Sequence, residues 1–182
     1  AYGNDPLIDT FIYLQRLMVA PMTPPLVFNG PVEMGLRSLI LLLEAFPYGL
    51  DLQRLVVLDY LFVHSGDIAN GPASLHPPSP LRAGEVAIRR GLVEHGLHLY
   101  GCRGLIARQL DAEGIRYVAE EGAAALLDAL SSNYVTGLRE RAGWVIEKFG
   151  PLTDEEVETV LSETIGRWRT EFAVIEGEEA TL

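Results

Sequence analysis

PVEMGLRSLILLLEAF (residues 31–46), PYG (47–49) and DLQRLVVLDYLFVH (51–64) decide how this chain folds. In the first stretch Val32, Leu36, Leu39, Ile40, Leu43 and Phe46 recur at helical spacing and draw a broad apolar stripe. Gly30 and Pro31 suit the N-cap and first helical position, and Pro47-Tyr48-Gly49 stops the run. Asp51 is a good N-cap for a second helix through Leu55, Leu58 and Phe62 to His64. Two apolar helices joined by so tight a turn are the signal of a helix-turn-helix.

Downstream, residues 65–82 are rich in glycine and proline and exceed the usual length of a helix connection. A third helix is predicted from Gly84 to about Tyr100, with Ile88, Leu92, His95 and Leu99 on one line. Gly91 and Gly96 weaken it by up to about 1 kcal/mol each unless a neighbour packs closely there. Leu105 to Leu110 and Ile115 to Ala119 flank Asp111-Ala112-Glu113-Gly114, a hairpin pattern. The order helix, turn, helix, loop, helix, hairpin is that of a winged helix-turn-helix, which can read DNA or dock on protein.

A helix from about Glu120 to Leu130 follows, then one capped by Ser132 or Asn133 and running to Phe149, ended by Gly150-Pro151. Thr153 with Glu156 makes a capping box that opens a last helix with Val157, Val160, Leu161, Ile165 and Trp168 on one face. The expected architecture is thus mainly α with a small β-hairpin. A winged helix-turn-helix core over 31–130 is followed by a C-terminal helical hairpin over 131–175 and an acidic tail over 176–182. Residues 1–30 form a leader: Leu7, Phe11, Leu14 and Met18 keep helical spacing ahead of Pro21, Pro24 and Pro25. That element either folds back on the core or docks on another chain.

At 182 residues the chain can bury one substantial core. No apolar run reaches membrane-spanning length, and the start lacks a signal core, so a cytoplasmic protein is expected. The single cysteine, Cys102, excludes an internal disulfide and is expected to pack as a small apolar residue. The net charge is −11, and residues 92–182 hold 17 of the 25 acids against 8 of the 14 bases. An unaided DNA binder presents a basic face, because phosphate neutralisation dominates its affinity. The balance therefore argues for a protein partner.

Catalytic motifs are missing. There is no P-loop, no Gly-x-Gly-x-x-Gly and no nucleophile elbow, and Cys102 beside Arg103 carries no cysteine-enzyme signature. His64 with Asp59, Asp67 and His76 has metal-capable side chains, yet at a spacing that matches no metal signature. His95 is expected at a core position and His98 lies three residues on. No enzyme activity, cofactor or metal is expected. The basic residues Arg82, Arg89 and Arg90, with Arg103 and Arg108 near the wing, are read as a solvated or ion-paired face, a protein interface or a DNA contact.

The central blocks carry a resemblance: Val27 to Arg37, Leu50 to Leu55, Leu58 to Leu61, Val63 to Asp67, Ser74 to Pro77, Gly84-Glu85 with Arg89-Arg90, and Arg103 to Leu105. Over residues 27–120 the chain resembles the middle component of bacterial ABC-three-component systems. It is similar to the small third subunit of Lamassu-type anti-phage and anti-plasmid complexes. The resemblance implies a non-catalytic adaptor in a hetero-oligomer with a coiled-coil ATPase similar to structural-maintenance-of-chromosomes proteins and an effector, often a nuclease. It would bridge or restrain them, touching DNA only within the complex. Asp59, Tyr60, His64, Ser65, Asp67 and His76 would then pin the long loop to the second helix or form part of the docking face. The competing expectation is a homodimeric winged-helix transcription regulator that binds DNA.

Overall fold

The computed structural model describes residues 30–77, 82–112 and 114–164, with the side chains of residues 82–87 left aside. The expectations for residues 1–29, for Ile165 and Trp168, and for the acidic tail fall outside that set. The elements are α1 (Pro31–Glu44), α2 (Leu52–Val63), a single 3-10 turn (Ser65–Asp67), α3 (Arg82–Gly101), β1 (Ile106–Asp111), β2 (Gly114–Ala119), α4 (Gly122–Asp128), α5 (Asn133–Phe149) and α6 (154–164). The protein is mainly helical with a two-stranded antiparallel hairpin, as expected.

α1 and α2 form the centre. Leu39 to Leu42 on α1 and Leu55 to Val63 on α2 are buried on every side, which is how a helix behaves when neighbours cover its whole circumference. α3 and α5 pack against both central helices, and Val93, Leu97, Leu138, Ala142, Val145 and Phe149 enter the same core. Val157 and Leu161 of α6 join it. The predicted stripe on α1 is therefore too narrow at its middle and too long at its ends. Val32 is exposed, α1 stops at Glu44, and Phe46 lies beyond it at 70% exposure.

Helix ends follow local chemistry. Asp51 Oδ1 accepts from the Arg54 N–H at 2.8 Å, and Ser132 Oγ from the Val135 N–H at 3.3 Å. The capping box opening α6 is reciprocal: the Thr153 N–H donates to Glu156 Oε2 at 2.8 Å, and the Glu156 N–H to Thr153 Oγ1 at 3.3 Å. Arg54, 7% exposed, reaches from α2 to the last carbonyl of α5 and into the turn that follows it. It donates to Phe149 O and Leu152 O at 2.6 and 2.7 Å and to Asp154 Oδ1 at 2.8 Å. This arginine locks the α5–α6 corner against the core.

The hairpin pairs Ile106 with Ala119 through Asp111 with Gly114. Gly114 takes φ +131°, a region an L side chain rarely enters, and its N–H bonds Asp111 Oδ1 at 3.0 Å. β2 also bonds the chain entering α2: the Leu50 N–H donates to Tyr117 O at 3.0 Å and the Tyr117 N–H to Leu50 O at 2.8 Å.

α3 corrects the sequence reading. Ile88 and His95, both placed on its apolar line, are exposed, with Ile88 at 71%. The buried face carries Arg89, Val93, Gly96, Leu97 and Tyr100 instead, about one residue round the helix. Two causes set that rotation: a buried partner for Arg89, and a backbone contact at Gly96. A Cβ on Gly96 would lie 2.9 Å from the Cα of Gly35, so α1 and α3 cross with glycine against glycine. Cys102 is likewise corrected, from packed to exposed.

Candidate functional site

Asp59 sits on α2 with no exposed surface, and its carboxylate is taken by two arginines. Arg37 of α1 grips it bidentately, Nε to Oδ1 at 2.7 Å and the second guanidinium nitrogen to Oδ2. Arg89 of α3 donates to the same Oδ2 and, at 3.3 Å, to the Asp59 backbone carbonyl. The guanidiniums of Arg37 and Arg89 also lie over the rings of Phe62 and Tyr60, at 5.9 and 5.4 Å. Arg89 is thus a core ion that joins three helices. Its placement on an outward face with Arg90 is overturned, because a buried carboxylate draws it inward.

From Arg37 the network continues outward. Its remaining nitrogen lies 3.4 Å from Glu33 Oε1, one turn earlier on α1. Glu33 also accepts from the Tyr134 hydroxyl of α5, which stands 2.9 Å from His76 Nε2. One polar chain, Arg89–Asp59–Arg37–Glu33–Tyr134–His76, therefore links α3, α2, α1, α5 and the long loop. Glu33, Arg37 and Tyr134 were not among the expected site residues. The signal available for them was Glu33 and Arg37 four apart beside an apolar stripe; for Tyr134 there was none.

Burial pushes the Asp59 carboxyl up, but the two guanidiniums and their hydrogen bonds outweigh this and hold it below the usual 3.8. Arg37 is shifted up: burial opposes its charge, and Asp59 with Glu33 more than restores it. Burial and the Glu33 hydrogen bond both push the Tyr134 hydroxyl up, so it stays a donor. With Asp59 depressed on folding, its contribution is fully present above the ordinary carboxylate range and is lost as pH falls through the folded value. The stability gap between the wild type and Asp59→Asn is therefore expected to be widest near neutral pH. It should narrow below about pH 4, as read from urea unfolding at a series of pH values.

The long loop folds back along the end of α2. The Leu75 and His76 N–H groups both donate to Val63 O, at 3.0 and 3.1 Å, and the Gly66 N–H bonds Ser74 Oγ at 3.0 Å. Ser65 is buried, with Oγ 3.5 Å from Ala73 O, and a Cβ on Gly71 would meet Ser65 C at 3.0 Å. From α5, Arg141 donates to Ala73 O at 3.1 Å and Lys148 to Ala69 O at 3.2 Å. His64, 2% exposed, packs on Tyr60 with ring centroids 4.9 Å apart, meets the His76 ring edge-on at 6.0 Å, and has Asp67 Oδ2 3.9 Å from Nδ1. Asp59 faces the arginines, so it reaches His76 only through Arg37, Glu33 and Tyr134 and does not cluster with His64 and Asp67. Among the described residues no three His, Cys, Asp or Glu side chains converge as a metal site would need.

The other expected residues separate. Arg90 is exposed and donates to Gln53 Oε1 at 3.0 Å; Arg103 is exposed in the turn just past α3, donating to Leu99 O at 3.0 Å. Arg82 opens α3, and its side chain lies outside the described residues. Glu94 and His95 are exposed on the same helix as Arg90, so the outward face of α3 carries both signs of charge.

The family model for Middle Component 2 of the ABC-three component (ABC-3C) system matches residues 27–171. The chain belongs to that family. The match runs past the hairpin through α4, α5 and α6, so the middle component includes the helices that close the polar network and the loop as well as the central blocks. No curated protein and no solved structure matches it. As a member of a three-component system the middle component works with other chains. Among its described residues no helix is long and apolar enough to cross a membrane.

Proposed function

We propose that this middle component is a non-catalytic, cytoplasmic adaptor of a bacterial anti-phage or anti-plasmid complex. It bridges or restrains a coiled-coil ATPase similar to structural-maintenance-of-chromosomes proteins and an effector subunit, often a nuclease. Membership of a three-component family across residues 27–171 carries this reading. The site chemistry supports it. The buried charges are consumed in holding four helices and a loop together, and the net charge of −11 opposes phosphate binding by the chain alone.

In this reading α1, α2, α3 and the hairpin act as a winged helix whose wing and third helix serve as a docking module. Asp59, Tyr60, His64, Ser65, Asp67 and His76 pin the loop and align the helices. Arg90 and Arg103 remain available to a partner or to DNA within the complex. The test is co-expression with the products of the neighbouring reading frames. Co-purification of this chain with the ATPase at fixed stoichiometry is expected. The isolated chain should give no salt-dependent shift of short duplex DNA. Tight, salt-sensitive DNA binding by the isolated chain would replace the adaptor by a transcription regulator.

A further inference from the structure

The hairpin has two edges, and they are not treated alike. On β2 the N–H and C=O of Tyr117 point outward and are both bonded to Leu50. Tyr117 is the partner of Arg108. In an antiparallel ladder, residues whose backbone groups point outward alternate with those that bond across. The N–H and C=O of Ile106, Arg108 and Leu110 therefore point outward from β1. The Leu105–Glu120 bond at 2.9 Å and the closing pair Asp111–Gly114 give the same parity. The C-terminal end of α3 covers the first of these, since Ile106 O lies 3.5 Å from a Cβ placed on Gly101. At Arg108 and Leu110 no backbone bond is made outward among the described residues.

The side chains at that edge are also open. Leu110 is 82% exposed, and Arg108 is exposed without an ion pair among the described residues. Both share the face of Ile106 and Tyr117, by the two-residue period of a strand. That face looks across an open groove of about 660 Å³ whose other wall is α3, at Glu94, His95 and His98. Alternating free donors and acceptors in a row select one kind of ligand, another extended backbone. Arg108, which lines the groove, and Leu110, on the same strand face, then set the chemistry of that strand.

We propose that the outer edge of β1 receives an extended segment of a partner subunit as a third strand, with a carboxylate opposite Arg108 and an apolar side chain two residues away against Leu110. This rests on the adaptor reading and names the surface it uses. The probe is the peptide Thr-Val-Thr-Glu-Thr-Val-Thr, added in millimolar excess to the full chain, with a version carrying lysine for glutamate as control. Amide exchange at Arg108 and Leu110 is expected to slow about tenfold near saturation, while exchange at Gln109, already in the ladder, changes little. Leu110→Pro deletes an outward N–H and leaves the β1–β2 bonds in place, so the chain should keep its circular dichroism and bind the peptide about fivefold more weakly. No binding at millimolar peptide, unprotected Arg108 and Leu110 amides, or equal binding of the lysine version would each overturn the proposal. Co-purification with the ATPase is read separately. Co-purification without edge protection sinks the edge alone; edge protection without co-purification sinks the adaptor alone.

Discussion

Asp59→Ala is expected to remove about 3–5 kcal/mol of stability, the cost of stranding buried charge without its partner. The carboxylate sits between two guanidiniums that are 0% and 1% exposed, so the alanine variant leaves Arg37 and Arg89 facing each other across a dry gap. Water cannot enter freely to replace the lost acceptor, and like charges at that separation repel. A domain of this length has roughly 5–15 kcal/mol in total, so the variant should lose on the order of 10 °C in Tm and populate unfolded chain at 37 °C. Thermal unfolding followed by circular dichroism reads this directly. A surface pair gives a reference: Arg139→Ala breaks an exposed contact with Asp128 at 3.0 Å and should cost under about 1 kcal/mol.

The same network gives a second, opposite expectation. Changing Arg37 and Arg89 to Met and Asp59 to Leu together removes the three fully buried charges as a set, and apolar replacements of similar volume are often neutral or better. Glu33 keeps the Tyr134 hydroxyl in that variant. The triple variant should therefore be far more stable than Asp59→Ala. If it were as unstable, the ions would be contributing through hydrogen bonds that no apolar packing replaces.

This network also marks where the sequence stopped being legible. Helix caps could be read because they are decided within three or four residues: Asp51, Ser132 and the Thr153–Glu156 box each act on a backbone N–H close by. The hairpin was readable for the same reason, since Gly114 supplies the one backbone conformation its turn requires. The rotation of α3 was not. It depends on Asp59, 30 residues away, and no local pattern distinguishes an arginine that finds a buried carboxylate from one that finds water. Reading charged residues as surface turned Arg89 outward and left Ile88 and His95 on the core side. The candidate residues of α2 and the loop were located, yet the structure splits them, with Asp59 facing the arginines, His64 and Ser65 facing the loop, and His76 reaching Asp59 only through Tyr134, Glu33 and Arg37. Glu33 and Tyr134, 101 residues apart, meet only because α1 and α5 pack side by side.

Gly96→Ala is expected to cost about 3 kcal/mol, while Gly91→Ala on the same helix is expected to gain up to about 1 kcal/mol. Helix propensity treats the two changes alike, so the sign difference isolates tertiary packing. At Gly91 a Cβ meets nothing within 4 Å, and alanine simply removes the flexibility glycine has in the unfolded chain. At Gly96 a Cβ would press on the Gly35 Cα and the Met34 carbonyl carbon, each at 2.9 Å, and backbone cannot swing aside as a side chain can. α3 must then move off α1, and Arg89, two turns earlier, moves with it away from Asp59. The penalty should therefore couple to the ion network: in the Asp59→Leu, Arg37→Met, Arg89→Met background, Gly96→Ala should cost measurably less. A double-mutant cycle by urea unfolding reads that difference, and additive costs would show that the glycine crossing and the buried ions hold α3 independently.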